Sequence, residues 1–248
     1  MAATNGEGDV RKLVGSCIAG VAGLAAVWLW ARQATRLGDR ATDIVARRPS
    51  TRLGRALYRD PRGHHPSFRV VLERLALGPE DRLVELGCGG GAFLLRALAT
   101  GCSAHAIDHS PDMVALARQQ NRAACAQGRL EVIEADAARL PFADGEFTAA
   151  TTMNAFFFFA DPAAVLREAH RVLGPDGRLV IVTHPPDLPG WLSRSFLGRR
   201  MRGYPDDRLR QMCHEAGFTD VSVERVGLGG GVREHGIMQV ATARRTRF

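Results

Sequence analysis

The sequence predicts an α/β fold, a seven-stranded and mostly parallel sheet with helices on both faces, preceded by one N-terminal apolar helix. Three observations carry this. Short apolar runs alternate with amphipathic helical segments from residue 66 onward, a glycine-rich turn separates the first run from the helix after it, and residues 13–31 hold no charge. With 248 residues, 46% hydrophobic and 24% charged, the composition is that of a folded protein and excludes a disordered, collagen-like or disulfide-framework chain. One α/β unit of roughly 180 to 200 residues fits, with no room for a second catalytic domain.

The chain divides into a polar N-terminus (1–12), an apolar span (13–31), a basic linker (32–65) and the α/β domain (66–248). A helix of that span would be roughly 28 Å long, close to bilayer hydrocarbon thickness, so it reads as a transmembrane anchor. Trp28 and Trp30 stand at its C-terminal end, where an interfacial aromatic belongs, and no small-x-small cleavage site follows. Nine arginines against three aspartates lie between Arg32 and Arg62, carrying most of the net charge of +7. Positive charge on that side predicts a cytoplasmic domain on a single anchor, with the arginines against an anionic membrane surface; the alternative is a soluble cytoplasmic protein. Nucleic acid is a poor partner, because the cluster lacks interleaved aromatics. Cys17, Cys88, Cys102, Cys125 and Cys213 are odd in number and lack ligand spacing, which predicts reduced thiols and no metal site.

In chain order, Phe68, Val71, Leu72 and Leu75 predict a helix stopped before Gly78-Pro79. Arg82–Leu86 reads as a strand, Gly87–Gly91 as a turn, Ala92–Thr100 as a helix and Cys102–Ile107 as the second strand, ending at Asp108. Ser110 caps a helix with Pro111 at its first position, running to about Gln127. Strands follow at Leu130–Glu134 and Phe147–Met153, then a helix from Pro162 to Leu173 ended by a Gly174-Pro175-Asp176-Gly177 turn. Arg178–Thr183 is the fifth strand, Leu188–Tyr204 an amphipathic stretch suited to a lid, and Pro205–Ala216 a helix closed by Gly217. Val221–Val226 and Ile237–Ala243 read as a hairpin-like pair.

The informative stretch is Val84-Glu85-Leu86-Gly87-Cys88-Gly89-Gly90-Gly91, after a strand and before a helix. Glycines there let the chain turn sharply and let a ligand approach the backbone. Alone it also satisfies a dinucleotide-binding pattern, with Asp108 where a ribose-binding acid belongs. Its company is more specific: Asp108-His109-Ser110-Pro111-Asp112-Met113, Glu134-Ala135-Asp136, Leu140-Pro141-Phe142 with Asp144-Gly145-Glu146-Phe147, and Val172-Leu173-Gly174-Pro175-Asp176-Gly177. Together these resemble the class I S-adenosylmethionine-dependent methyltransferases, most nearly the type 11 group that includes methyltransferases of quinone biosynthesis. The resemblance runs from about Pro66 to Ala243 and implies a Rossmann-like fold.

It further implies S-adenosylmethionine (SAM) as cofactor, wrapped by Gly87, Cys88, Gly89 and Gly91. By the same resemblance Glu85 organises the methionine end, Asp108 accepts the ribose hydroxyls with His109 beside it, Met113 packs near the adenine, and Asp136 with Ala137 meets the adenine edge. Asn154 falls where the methyl group meets its acceptor. Methyl transfer from a sulfonium is an in-line displacement that gains mainly from positioning and desolvation, so the motifs identify the cofactor better than the acceptor. Candidate bases are His64, His65 and His184. An anchor with a basic collar suggests a small, lipid-like acceptor. The alternatives are a non-catalytic SAM-binding membrane protein and an NAD-dependent oxidoreductase; the absence of an Asn-Pro-Pro-Tyr motif after the fourth strand lowers a nucleic-acid-base target.

Overall fold

The computed structural model describes residues 59, 61, 64–187, 201–227 and 238–246. The 1–12 and 13–31 segments, nearly all of the 32–65 linker and residues 188–200 of the predicted lid lie outside them. Among the described residues no helix is long and apolar enough to cross a membrane.

Helix α1 is His65–Leu75, β1 Arg82–Leu86, α2 Leu94–Ala97, β2 Ser103–Asp108, α3 Pro111–Gln120, α4 Arg122–Ala126 and β3 Leu130–Glu134. They are followed by β4 (Phe147–Met153), α5 (Pro162–Val172), β5 (Leu173–Thr183), α6 (Asp206–Glu215), β6 (Thr219–Val226) and β7 (Met238–Arg244). As expected, the seven strands form one sheet; their order is β3-β2-β1-β4-β5-β7-β6. β1 through β5 pair in parallel. β7 runs antiparallel between β5 and β6, so the expected β6–β7 pair is inserted at the sheet's edge. The order reverses at β1, whose chain leaves toward β2 on one side and returns as β4 on the other, opening a crevice at the carboxyl ends of the strands.

Strand alternation sorts the core into two layers. Leu83, Ala106, Val180 and Val182 face Phe68, Val71 and Leu75 of α1 and Val114 and Ala117 of α3. Val84, Ile107, Leu179 and Ile181 face Val165, Leu166 and Ala169 of α5 and Leu209 and Met212 of α6. The same alternation puts Glu85, between Val84 and Leu86, and Asp108, after Ile107, on the α1 side. Thus the two carboxylates share a face with α1.

Three elements differ from the sequence expectation. The single helix expected over Ala92–Thr100 is only α2 followed by a 3-10 turn at Leu98–Thr100. It must end at Gly101, which has φ +95° and leaves a Cβ only 3.1 Å from Pro79 Cγ. The helix expected from Pro111 to Gln127 breaks at Asn121, where φ is −106° and ψ 23°. The buried Asn121 side-chain amide donates to the Ala117 carbonyl at 2.9 Å and to the Gly91 carbonyl at 3.0 Å, tying the break to the glycine loop. Finally, the Gly174-Pro175-Asp176-Gly177 stretch is a bulge inside β5 rather than a turn before it. Leu173 already pairs with Phe147, and pairing resumes at Arg178 with Ala149. Asp176 takes φ +62° there and donates its amide to the Arg245 carbonyl at 2.7 Å, so the bulge is closed by the strand end beyond it.

Candidate functional site

Gly87 directly follows β1 with φ +77°, and a Cβ on it would lie 2.8 Å from the Cβ of Ala155. Both constraints call for glycine. The Gly87 and Cys88 amides each donate to the Ile107 carbonyl at 2.9 Å, holding the loop on β2. The Gly89 amide donates to Asp108 Oδ2 and the Ser110 amide to Asp108 Oδ1, both at 2.9 Å. One carboxylate therefore joins the glycine loop to the start of α3. The expected Ser110 cap is replaced by this arrangement: its hydroxyl is buried without a hydrogen-bond partner, while its amide is held by Asp108.

Around this loop opens a cavity of about 480 Å³. Its polar lining follows the strand order. Asp136 comes after β3, Asp108 ends β2, Glu85 lies in β1 and Asn154 follows β4. Neighbouring strands lie about 4.8 Å apart, so these groups form a row roughly 14 Å long. Asp136 Oδ1 accepts the Ala138 amide at 2.9 Å in a side-chain turn. Asn154, at φ +54°, donates its backbone amide to Val182 O at 2.9 Å and its side-chain amide to Ser67 Oγ at 3.4 Å. That last contact ties the first turn of α1 to the β4 end of the cavity.

Glu85 is 3% exposed and its Oε2 has no hydrogen-bond partner. Burial, with Asp108 adding like-charge repulsion, pushes its carboxyl well above the ordinary range. Burial likewise raises Asp108, against the Ser110 and Gly89 amides and nearby His109, which favour the carboxylate. Burial first, then the two carboxylates, pushes the Cys88 thiol well up, so it stays protonated. A cavity with three carboxyl groups and, among the described residues, no lining arginine or lysine suits an elongated ligand carrying positive charge.

The Glu85 shift has a consequence for stability. In the unfolded chain this carboxyl ionises near its ordinary value, whereas the folded protein holds it protonated to higher pH. Stability is therefore lost as pH rises through that window, by up to about 1.4 kcal/mol per pH unit. Glu85→Gln removes the group, and its melting temperature in the absence of ligand should gain on the wild type as pH increases from about 5 to about 8. Parallel melting curves across that range would show that Glu85 carries no such burden.

All the predicted cofactor residues line the cavity except Gly91. Gly91 serves packing instead: a Cβ there would lie 2.8 Å from both Ala117 Cβ and Asn121 Nδ2, where α3 closes on the loop. Of the predicted bases, only His64 lines the cavity. His65 packs on Phe68, with ring centroids 5.8 Å apart. His184 is buried against Phe157, centroids 4.7 Å apart, and its Nδ1 lies 2.9 Å from the Pro185 carbonyl. Neither it nor Phe157 lines the cavity. Its apolar wall is Phe68, Phe93, Met153, Phe158 and Phe159, of which sequence reasoning missed Phe68, Phe93 and Met153 and read the Phe156–Phe159 run as core or pocket wall. Phe68 and Phe93 sat in helical apolar patterns that look the same whether they face a core or a ligand. The run from Phe156 to Phe159 was the one available signal, and it divides: Phe156 is core, while Phe158 and Phe159 face the cavity.

Residues 84–181 match a family model described as a methyltransferase domain. Demethylmenaquinone methyltransferase of Thermus thermophilus is 40% identical over 111 residues, 44% of this chain and 50% of that protein. The enzyme of the same name from Mycolicibacterium gilvum is 32% identical over 178 residues, 62% of this chain and 75% of that protein. The chain spans about half the length of the first two curated relatives it matches. A solved SAM-dependent methyltransferase from Thermotoga maritima, a possible histamine N-methyltransferase, shares the fold with a TM-score of 0.60 and 22% identity, over 76% of this chain and 94% of that one.

Proposed function

From its membership of the class I S-adenosylmethionine-dependent methyltransferases, the family to which this chain belongs, we propose that it transfers a methyl group to a lipophilic, quinol-type acceptor. The cofactor is SAM, and the site suits it. The orphaned Glu85 Oε2 is a buried acceptor for a cationic group, the glycine loop presents bare backbone, and Asp108 can accept hydroxyl donors on the side of its carboxylate turned to the cavity. When bound, the cofactor supplies an electrophilic methyl group on a positively charged sulfur.

In this reading Asp108 holds the ribose, Glu85 the methionine end, and Met113, Asp136 and Ala137 the adenine. Asn154 stands at the opposite end of the row. The observation that carries the acceptor assignment is the cavity's composition there: Phe68, Phe93, Met153, Phe158 and Phe159 make a wall of aromatic rings and thioether at the end away from Asp136. Such a wall excludes water and favours a flat, apolar ring over a charged peptide or nucleotide. The relatives named demethylmenaquinone methyltransferase support the same class. Displacement in line with the sulfur–methyl bond then depends on how firmly the wall orients the acceptor. The apolar span 13–31 and the arginines between 32 and 62 favour meeting that acceptor at a lipid surface, with the domain on the cytoplasmic side.

The test is incubation of the full chain with methyl-labelled SAM and reduced demethylmenaquinone, without oxygen, followed by mass spectrometry of the quinone. Incorporation of one labelled methyl is expected. Binding of SAM with no transfer to any quinol would overturn the acceptor class while leaving the cofactor in place.

A further inference from the structure

We propose that His64 is the catalytic base of this site, the group that takes the acceptor's acidic proton. The inference rests on the quinol reading above and adds to it the residue that makes the acceptor nucleophilic.

Position is the first argument. His64 lines the cavity immediately before α1, where its backbone amide donates to the Pro61 carbonyl at 2.7 Å. Ser67, three residues on, contacts the Asn154 side chain at 3.4 Å. His64 therefore stands one helical turn before the residue that contacts Asn154 at the β4 end. Its ring meets Phe68 edge-on, centroids 6.5 Å apart, so it belongs to the aromatic wall against which the acceptor would lie.

Elimination is the second. Among the described residues, the other titratable groups facing the cavity are Glu85, Cys88, Asp108, His109 and Asp136. The first three lie on the glycine loop or beneath it and are held protonated or engaged by backbone amides. His109 and Asp136 stand at the β2 and β3 end. Outside the cavity, His65 adjoins His64 and the Arg96 guanidinium lies over Phe68, 5.5 Å from its ring. Burial, with His65 alongside, lowers the His64 pKa from its ordinary 6.5. Its imidazole is thus neutral and able to accept a proton near pH 7.

In the step, the acceptor's O–H bond breaks and its proton moves to an imidazole nitrogen of His64, leaving the electron pair on the acceptor. The acceptor's ring carbon forms the new bond to the methyl group, and the electrons of the broken sulfur–methyl bond stay on sulfur. Positive charge leaves sulfur as it appears on His64, so total charge is conserved. The ring then shifts its proton from carbon to oxygen, and His64 returns its proton to solvent.

The experiment compares the full-length wild type with His64→Gln and His64→Ala, using reduced demethylmenaquinone as acceptor and S-adenosylhomocysteine affinity as control. We expect wild-type kcat/KM to fall on the acid side with an apparent pKa below 6.5. His64→Gln should lose about 10²- to 10³-fold in kcat together with that limb. S-adenosylhomocysteine affinity should be unchanged, and added imidazole should partly restore His64→Ala. Variants that keep the acid limb, or lose rate only in step with cofactor affinity, would overturn the role of His64 and leave the quinol reading intact. A wild type that binds cofactor but methylates no quinol would overturn both.

Discussion

Asp108→Ala is expected to raise the dissociation constants of SAM and S-adenosylhomocysteine by at least about 100-fold, and to destabilise the domain even without ligand. Both effects come from one carboxylate. Toward the ligand it offers charge-assisted hydrogen bonds of about 1.5–3 kcal/mol each, so the loss of two exceeds the roughly 2.7 kcal/mol that a 100-fold change represents. Toward the protein it accepts the Gly89 and Ser110 amides at 2.9 Å. Without it both donors lose their partner at about 1–3 kcal/mol for each that stays buried. Calorimetric titration and thermal melting separate the two. Asp108→Asn keeps an acceptor oxygen and should recover part of the stability while remaining weak for cofactor. Unchanged affinity in Asp108→Ala would overturn the ribose assignment.

Gly87→Ala is expected to be the other severe change, costing about 2–5 kcal/mol of stability and abolishing cofactor binding. The alanine must adopt φ +77°, which costs an L-residue about 1–2 kcal/mol. Its Cβ also meets that of Ala155 at 2.8 Å, and overpacking of this kind costs about 1–3 kcal/mol more. Ala155 and Phe159 both line the cavity, so relief by moving that segment distorts the site itself. The two contributions can be separated. Ala155→Gly in the Gly87→Ala background removes the collision but not the dihedral strain, and should return part of the stability. A single variant as stable as wild type would show that the loop relaxes freely.

Much of the fold was legible because its cues are local. Apolar runs of β-branched residues, Pro111 and Pro162 at helix starts, and Gly217 at a helix end fix elements over a few residues. The misreadings were where a distant partner intervened: Asn121 breaks its helix on the carbonyl of Gly91, thirty residues away. β5 begins early because Leu173 finds Phe147 and Arg245 closes the bulge. Among the site residues, Glu85, Gly87, Asp108, Asp136 and Asn154 were legible through the family resemblance, whose motifs place each in or close to the end of a strand. Gly91 shared that pattern, yet its backbone serves the approach of α3 rather than the ligand.

By itself, the sequence determined the alternation of strands and helices, the glycine turn and the acids in or just after β1, β2 and β3, and the resemblance of these motifs to a known family implied the cofactor. The elements follow from backbone dihedrals and spacing along the chain. Only the tertiary structure decided which side chains share a space. It set Phe68, Phe93, Phe158 and Phe159 around one cavity, kept His65 and His184 out of it, and left Glu85 buried with an unpartnered oxygen. The physical reason is that a side chain's function depends on which face of its element it occupies and what packs against that face, and those neighbours come from helices and strands far away in the chain.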